Sequence, residues 1–143
     1  MKKEISATEQ WSTGSASQGL RLLGDWFRCR GQRELFVNAQ ALRGVCQAAA
    51  RDAGLTVVGE LFHPFPHSGV TGTLVLADSY LVINTRPEDR SVTLDVFIID
   101  HVPADRLKAH ALYSSLRDRL SPEKENYLQI NRGGPLEVDS NPV

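Results

Sequence analysis

The chain has 143 residues and a mass of 15.8 kDa, with 41% apolar residues, 23% charged residues and a formal net charge of -1, which fits one globular domain and excludes a second. A domain of that length buries roughly 68–70% of the surface its unfolded chain exposes, so neither a disulfide nor a metal is needed to hold its core. Sixteen basic and seventeen acidic residues leave no footprint for nucleic acid, no apolar run approaches membrane-spanning length, and the polar start from Met1 to Gln18 lacks the apolar stretch of a secretory signal. The expectation is a cytoplasmic protein with neither nucleic acid nor membrane as partner.

Residues 1–17, rich in Ser, Thr, Lys and Glu without periodicity, read as a flexible arm. Residues 18–132 form the domain, and residues 133–143, with two glycines and two prolines, read as a flexible tail. Leu20 to Phe27 has the composition of a strand, closed off by Gly31. From Leu35 to Ala53 apolar residues recur at Leu35, Ala39, Leu42, Cys46, Ala49 and Ala53, the spacing of one helical face, and Gly54 supplies the stop. Strands are predicted at Leu55–Phe62, Val70–Leu76, Tyr80–Thr85 and Val92–Ile99, separated by turn signals at 64–69, 78–79 and 86–89, which favours an antiparallel meander. A second helix runs from Pro103 to Leu120, with Pro103 at its first position and Ala109, Leu112, Tyr113, Leu116 and Leu120 on one face. Tyr127 to Ile130 adds a last short strand.

That order reads as an α+β fold with two helices on one face of an antiparallel sheet. The other face needs cover, and the chain has no third layer to supply it. A homodimer packed through its sheets is therefore predicted.

Cys29 and Cys46 are the only cysteines, and read as small buried hydrophobes. His63, His67 and His101 fall into no metal-binding spacing, so no metal site is expected.

The chemistry-bearing residues lie in a series of blocks: Phe62-His63-Pro64-Phe65, Gly69-Val70-Thr71-Gly72, and the run from Leu76 through Asp78-Ser79 to Asn84-Thr85-Arg86-Pro87-Glu88. Without gaps, the series resembles the prokaryotic S-adenosylmethionine decarboxylase family, whose pattern is F-H-x-F, G-V-S-G and E-S-H-L-S-I-H-T-W-P-E. Weaker likeness extends through Gly19–Arg28, Ala48–Val58 and Asp95-Val96-Phe97, covering about Gly19 to Asn131. The resemblance implies an αββα sandwich made by two protomers.

It also implies a self-made cofactor. Ser79 stands where the family's serine attacks the preceding carbonyl, turning the backbone amide into an ester, and elimination then leaves a pyruvoyl group at residue 79 while Asp78 ends the smaller chain. Such a carbonyl condenses with the α-amine of an amino-acid substrate and takes up the electrons released with CO2. By the same resemblance Thr71 assists the ester chemistry, Glu88 hydrogen-bonds the ribose hydroxyls of the substrate, and Phe65 stacks on its adenine.

Thr71 keeps a hydroxyl in place of the serine of G-V-S-G and Asp78 shortens the glutamate before the reactive serine by one methylene, while four further departures bear on the chemistry. Asn84 replaces the histidine that helps drive elimination, and an amide cannot act as a base near pH 7. Ile99 replaces the cysteine that returns a proton to the decarboxylated carbon, Arg86 replaces the tryptophan before Pro87, and Tyr80 replaces the histidine after the reactive serine. Taken alone, Asp78-Ser79 is an ordinary hairpin turn, Glu88-Asp89 a solvated turn, Asn84 a structural hydrogen-bonding residue and Phe65 a wall of the core.

The leading expectation is a pyruvoyl-dependent amino-acid decarboxylase of polyamine synthesis, its site built from Ser79, Asp78, Thr71, Asn84, Phe65 and Glu88. Ornithine or arginine is a variant substrate whose distal cation would pair with Asp100 or Glu88. An unprocessed, inactive homologue serving as a regulatory or structural partner is the alternative, and a plain ligand-binding α+β domain is the reading without homology.

Overall fold

The computed structural model describes residues 18–133; the expected arm at 1–17 and the tail beyond Gly133 lie outside that range. The elements in chain order are β1 (Gln18–Phe27), α1 (Glu34–Val37), α2 (Ala39–Asp52), β2 (Val57–Pro64), β3 (Val70–Leu76), β4 (Ser79–Arg86), β5 (Ser91–Asp100), α3 (Pro103–Leu120) and β6 (Lys124–Arg132). Six strands form one antiparallel sheet in the order β2-β3-β4-β5-β1-β6. The expected meander is β2 to β5, and β1 lies between β5 and β6.

Period-two alternation decides the two faces of this sheet. Leu20, Leu22 and Trp26 of β1, Leu74 and Leu76 of β3, Leu81 and Ile83 of β4, and Val92, Leu94, Val96 and Ile98 of β5 are buried beneath the helices. α2 contributes Leu42, Cys46, Ala49 and Ala50 to this layer, and α3 contributes Ala109, Leu112, Leu116 and Leu120. The opposite face carries Leu61, Val75 and Leu128, which are 70%, 45% and 54% exposed. The helices thus cover one face, as expected, and the other is half apolar and bare among the described residues.

The single helix expected over Leu35–Ala53 is instead two. Asn38 is extended (φ -112°, ψ 114°), and its side chain accepts from Ala41 N–H to cap α2. Asn competes for backbone donors in this way and so favours a cap over a helix interior. α1 remains a single turn that buries Leu35 and Phe36.

Two glycines of the Gly69–Gly72 block have steric reasons to be there. A Cβ at Gly69 would lie 1.8 Å from the Thr85 carbonyl oxygen, and one at Gly72 would enter the Phe62 ring at 2.1 Å. Both contacts lock β3 onto its neighbours.

Candidate functional site

Ser79 begins β4 immediately after the two-residue β3–β4 turn, opposite Leu76 and Ile98. It is buried to 8% exposure and its hydroxyl has no hydrogen-bond partner among the described residues. Asp78, just before it, is left-handed at φ 61°, a region that Asp tolerates better than most side chains. Its carbonyl accepts from the Ile99 backbone N–H at 3.2 Å, and its exposed carboxylate lies 3.2 Å from Nε2 of His101. Ser79, Asp78, Ile99, His101, Asp105 and Lys108 border a cleft of about 190 Å³ between the turn and the start of α3. A free hydroxyl beside a carbonyl already held by a backbone donor can perform an acyl shift.

Thr71 and Asn84 face each other across β3 and β4 on the bare side of the sheet. The Thr71 hydroxyl donates to Asn84 Oδ1 at 2.6 Å, and Asn84 Nδ2 donates to Thr93 Oγ1 at 3.3 Å. These bonds engage both the oxygen and the nitrogen of the amide. Asn84 also borders a depression of about 480 Å³ over the sheet, with Leu23, Val82 and Leu128 among its walls.

Phe65, in the β2–β3 turn, is 47% exposed and meets His63 edge-to-face at 4.5 Å. It is no wall of the core: the turn carries it past the last strand pair. Glu88, in the β4–β5 turn, is exposed beside Arg28, Arg30, Arg90 and Glu123. Because Thr71 pairs with Asn84, these two turns share one end of the sheet, and Ser79 with Asp78 occupies the other. The eight residues of β4 separate the ends by about 25 Å. One protomer therefore does not gather the six predicted residues around a single small molecule.

Asp100 pairs with Arg106 through Oδ2 at 3.0 Å, while its Oδ1 is buried with no partner among the described residues. The sequence reading weighed His101 only as a metal ligand, since its contact with Asp78 spans 23 positions and follows from the β4–β5 register. Cys29 and Cys46 are free and buried, and burial pushes their thiols up to about 11 and about 12, so neither is a thiolate nucleophile near neutrality. Among the described residues no cluster has the makings of a metal site and no helix is long and apolar enough to cross a membrane.

Residues 20–133 match the family model described as S-adenosylmethionine decarboxylase. The chain is 30% identical to the S-adenosylmethionine decarboxylase proenzyme of Thermotoga maritima over 82% of its own length and 85% of that protein. It is 34% identical to the proenzyme of the same name from Pseudomonas aeruginosa, over 80% of its length and 68% of the relative. The crystal structure of the adenosylmethionine decarboxylase from Aquifex aeolicus superposes with a TM-score of 0.73 at 25% identity, covering 90% of this chain and all of that one.

Proposed function

The chain belongs to the S-adenosylmethionine decarboxylase family, and from that membership we propose that it is a pyruvoyl-dependent decarboxylase that cuts itself between Asp78 and Ser79 and works as a homodimer. The observation that carries this reading is the state of the cleavage turn. The Ser79 hydroxyl is buried without a partner, next to a carbonyl that the Ile99 N–H already polarises. Attack by Oγ would place negative charge on the Asp78 oxygen, where that N–H is in position to stabilise it. Ile99 lacks the thiol of the family pattern, but its backbone N–H supplies the donor that this attack calls for.

A pyruvoyl group at residue 79 would supply an electron sink for the carbon that loses CO2. The work left to the chain is to hold the substrate. Glu88 and Phe65 are suited to the ribose hydroxyls and the adenine of S-adenosylmethionine, one as an exposed acceptor and the other as an exposed ring. They stand at the opposite end of the sheet from Ser79, which argues for a shared site. A two-fold axis lying between two bare sheet faces and running across the strands would bring the cleavage end of one protomer over the Glu88 end of the other, and would bury Leu61, Val75 and Leu128.

The test is release of CO2 from carboxyl-labelled S-adenosylmethionine, ornithine and arginine, each incubated separately with purified protein. Release from S-adenosylmethionine is expected, and release from ornithine or arginine alone would identify the variant substrate. No release from any of the three would overturn the reading. One observation favours a second reading, an unprocessed partner protein: the Asn84 amide is committed to Thr71 and Thr93, and offers no base.

A further inference from the structure

Resting on the self-cleaving reading above, we propose that His101 is the proton-transfer group of chain processing, taking over from this chain's own end the task for which Asn84 has no base. Asn84 lies five residues along β4 from Ser79, about 17 Å away, and its side chain is on the opposite face of the sheet. His101 lies at the cleavage turn itself. β5 ends opposite the start of β4, with Ser79 paired to Ile98, so the chain leaving β5 passes over Asp78. The Ile99 N–H to Asp78 carbonyl bond fixes that crossing. Asp105, in the first turn of α3, accepts from the His101 backbone N–H at 2.9 Å and holds the corner in place.

The imidazole has the setting of a base held by a carboxylate. Asp78 Oδ2 lies 3.2 Å from Nε2; in the tautomer protonated at Nε2 that nitrogen donates to the carboxylate and Nδ1 is left with a lone pair to accept a proton. The charged groups around the cleft are the Asp78 and Asp105 carboxylates and the Lys108 ammonium, which is 3.9 Å from Asp105. The ring is half exposed and can exchange its proton with water.

The steps balance with one water consumed. As Ser79 Oγ bonds to the Asp78 carbonyl carbon, the C–N bond breaks and the hydroxyl proton passes through the imidazole to the freed amine. The imidazole then takes the Cα proton of residue 79, the Oγ–Cβ bond breaks, and Asp78 departs as a carboxylate. Water adds to the unsaturated residue left behind, ammonia leaves, and the ketone remains.

The test follows splitting over time by intact mass, using chain freshly made by cell-free synthesis, for the parent, His101→Ala and His101→Gln. The exposed position of His101 keeps both variants folded, as circular dichroism will show. Glutamine retains a hydrogen bond to Asp78 but has no basic nitrogen, so both variants are expected to split at least ~100-fold more slowly than the parent, with added imidazole accelerating His101→Ala. Parent-like splitting of either variant, or no response of folded His101→Ala to imidazole, would overturn the proposal while leaving self-cleavage intact. A parent chain that never splits would overturn self-cleavage itself.

Discussion

Thr85 ties three segments together through one oxygen, which accepts from the Val70 N–H at 2.9 Å and donates to the Phe36 carbonyl at 2.9 Å. Thr85→Val keeps the shape and leaves the Val70 N–H buried without that acceptor, a loss of about 1–3 kcal/mol. Denaturant unfolding in a Ser79→Ala background, where the chain stays in one piece, measures it; an unchanged midpoint would contradict the assignment. Thr85 was legible only as part of a motif. Its function in the fold depends on a contact with Phe36, 49 positions away. Ser79 and Asp78 were legible because their neighbours carry the family pattern, and without those neighbours they are turn residues. The backbone N–H of Ile99 could not be read from side-chain chemistry, since every residue but proline has one.

At the scale of elements, the apolar periodicities located β1, the meander and α3 because each buries one regular face. They missed the break at Asn38, where a side-chain cap interrupts a stripe that continues on both sides. They also shortened β6, expected at Tyr127–Ile130 and observed over Lys124–Arg132, because an edge strand pairs through its backbone and needs no apolar alternation. Glu125 anchors this edge: it accepts from Trp26 Nε1 of β1 at 3.1 Å, from the Tyr113 hydroxyl of α3 at 2.5 Å, and from Arg117 at 2.8 Å. Partial burial pushes the Glu125 carboxyl up, but donation by Tyr113, Arg117 and Trp26 outweighs it and sets the carboxyl below its ordinary 4.5. A lowered folded value means stabilisation that is present above pH 4.5 and lost as pH falls through that lower value. Glu125→Gln should therefore lower the Tm at neutral pH and flatten its fall below pH 4.5. An acid limb as steep as the parent's would show that the carboxylate contributes nothing.

For the whole molecule, the proposed homodimer accounts both for the bare sheet face and for the division of the predicted residues between its two ends. The need for cover was legible from layer counting; the separation of Ser79 from Glu88 was not, since only the strand register reveals which turns share an end. A site completed by two protomers predicts complementation. Ser79→Ala and Glu88→Ala homodimers should each be inactive, whereas a one-to-one mixture assembled from unfolded chains should regain about a quarter of parental turnover, from one intact site in half of the dimers. No recovery, with mixed dimers demonstrated by mass, would place the whole site within one protomer.

Both the decarboxylation and the shared site depend on an electrophile at residue 79, and intact mass of the purified protein decides whether it exists. The account predicts two pieces, one ending at Asp78 and one starting at residue 79, the latter lighter by one ammonia than a fragment beginning with serine. A single full-length species after prolonged incubation would contradict it.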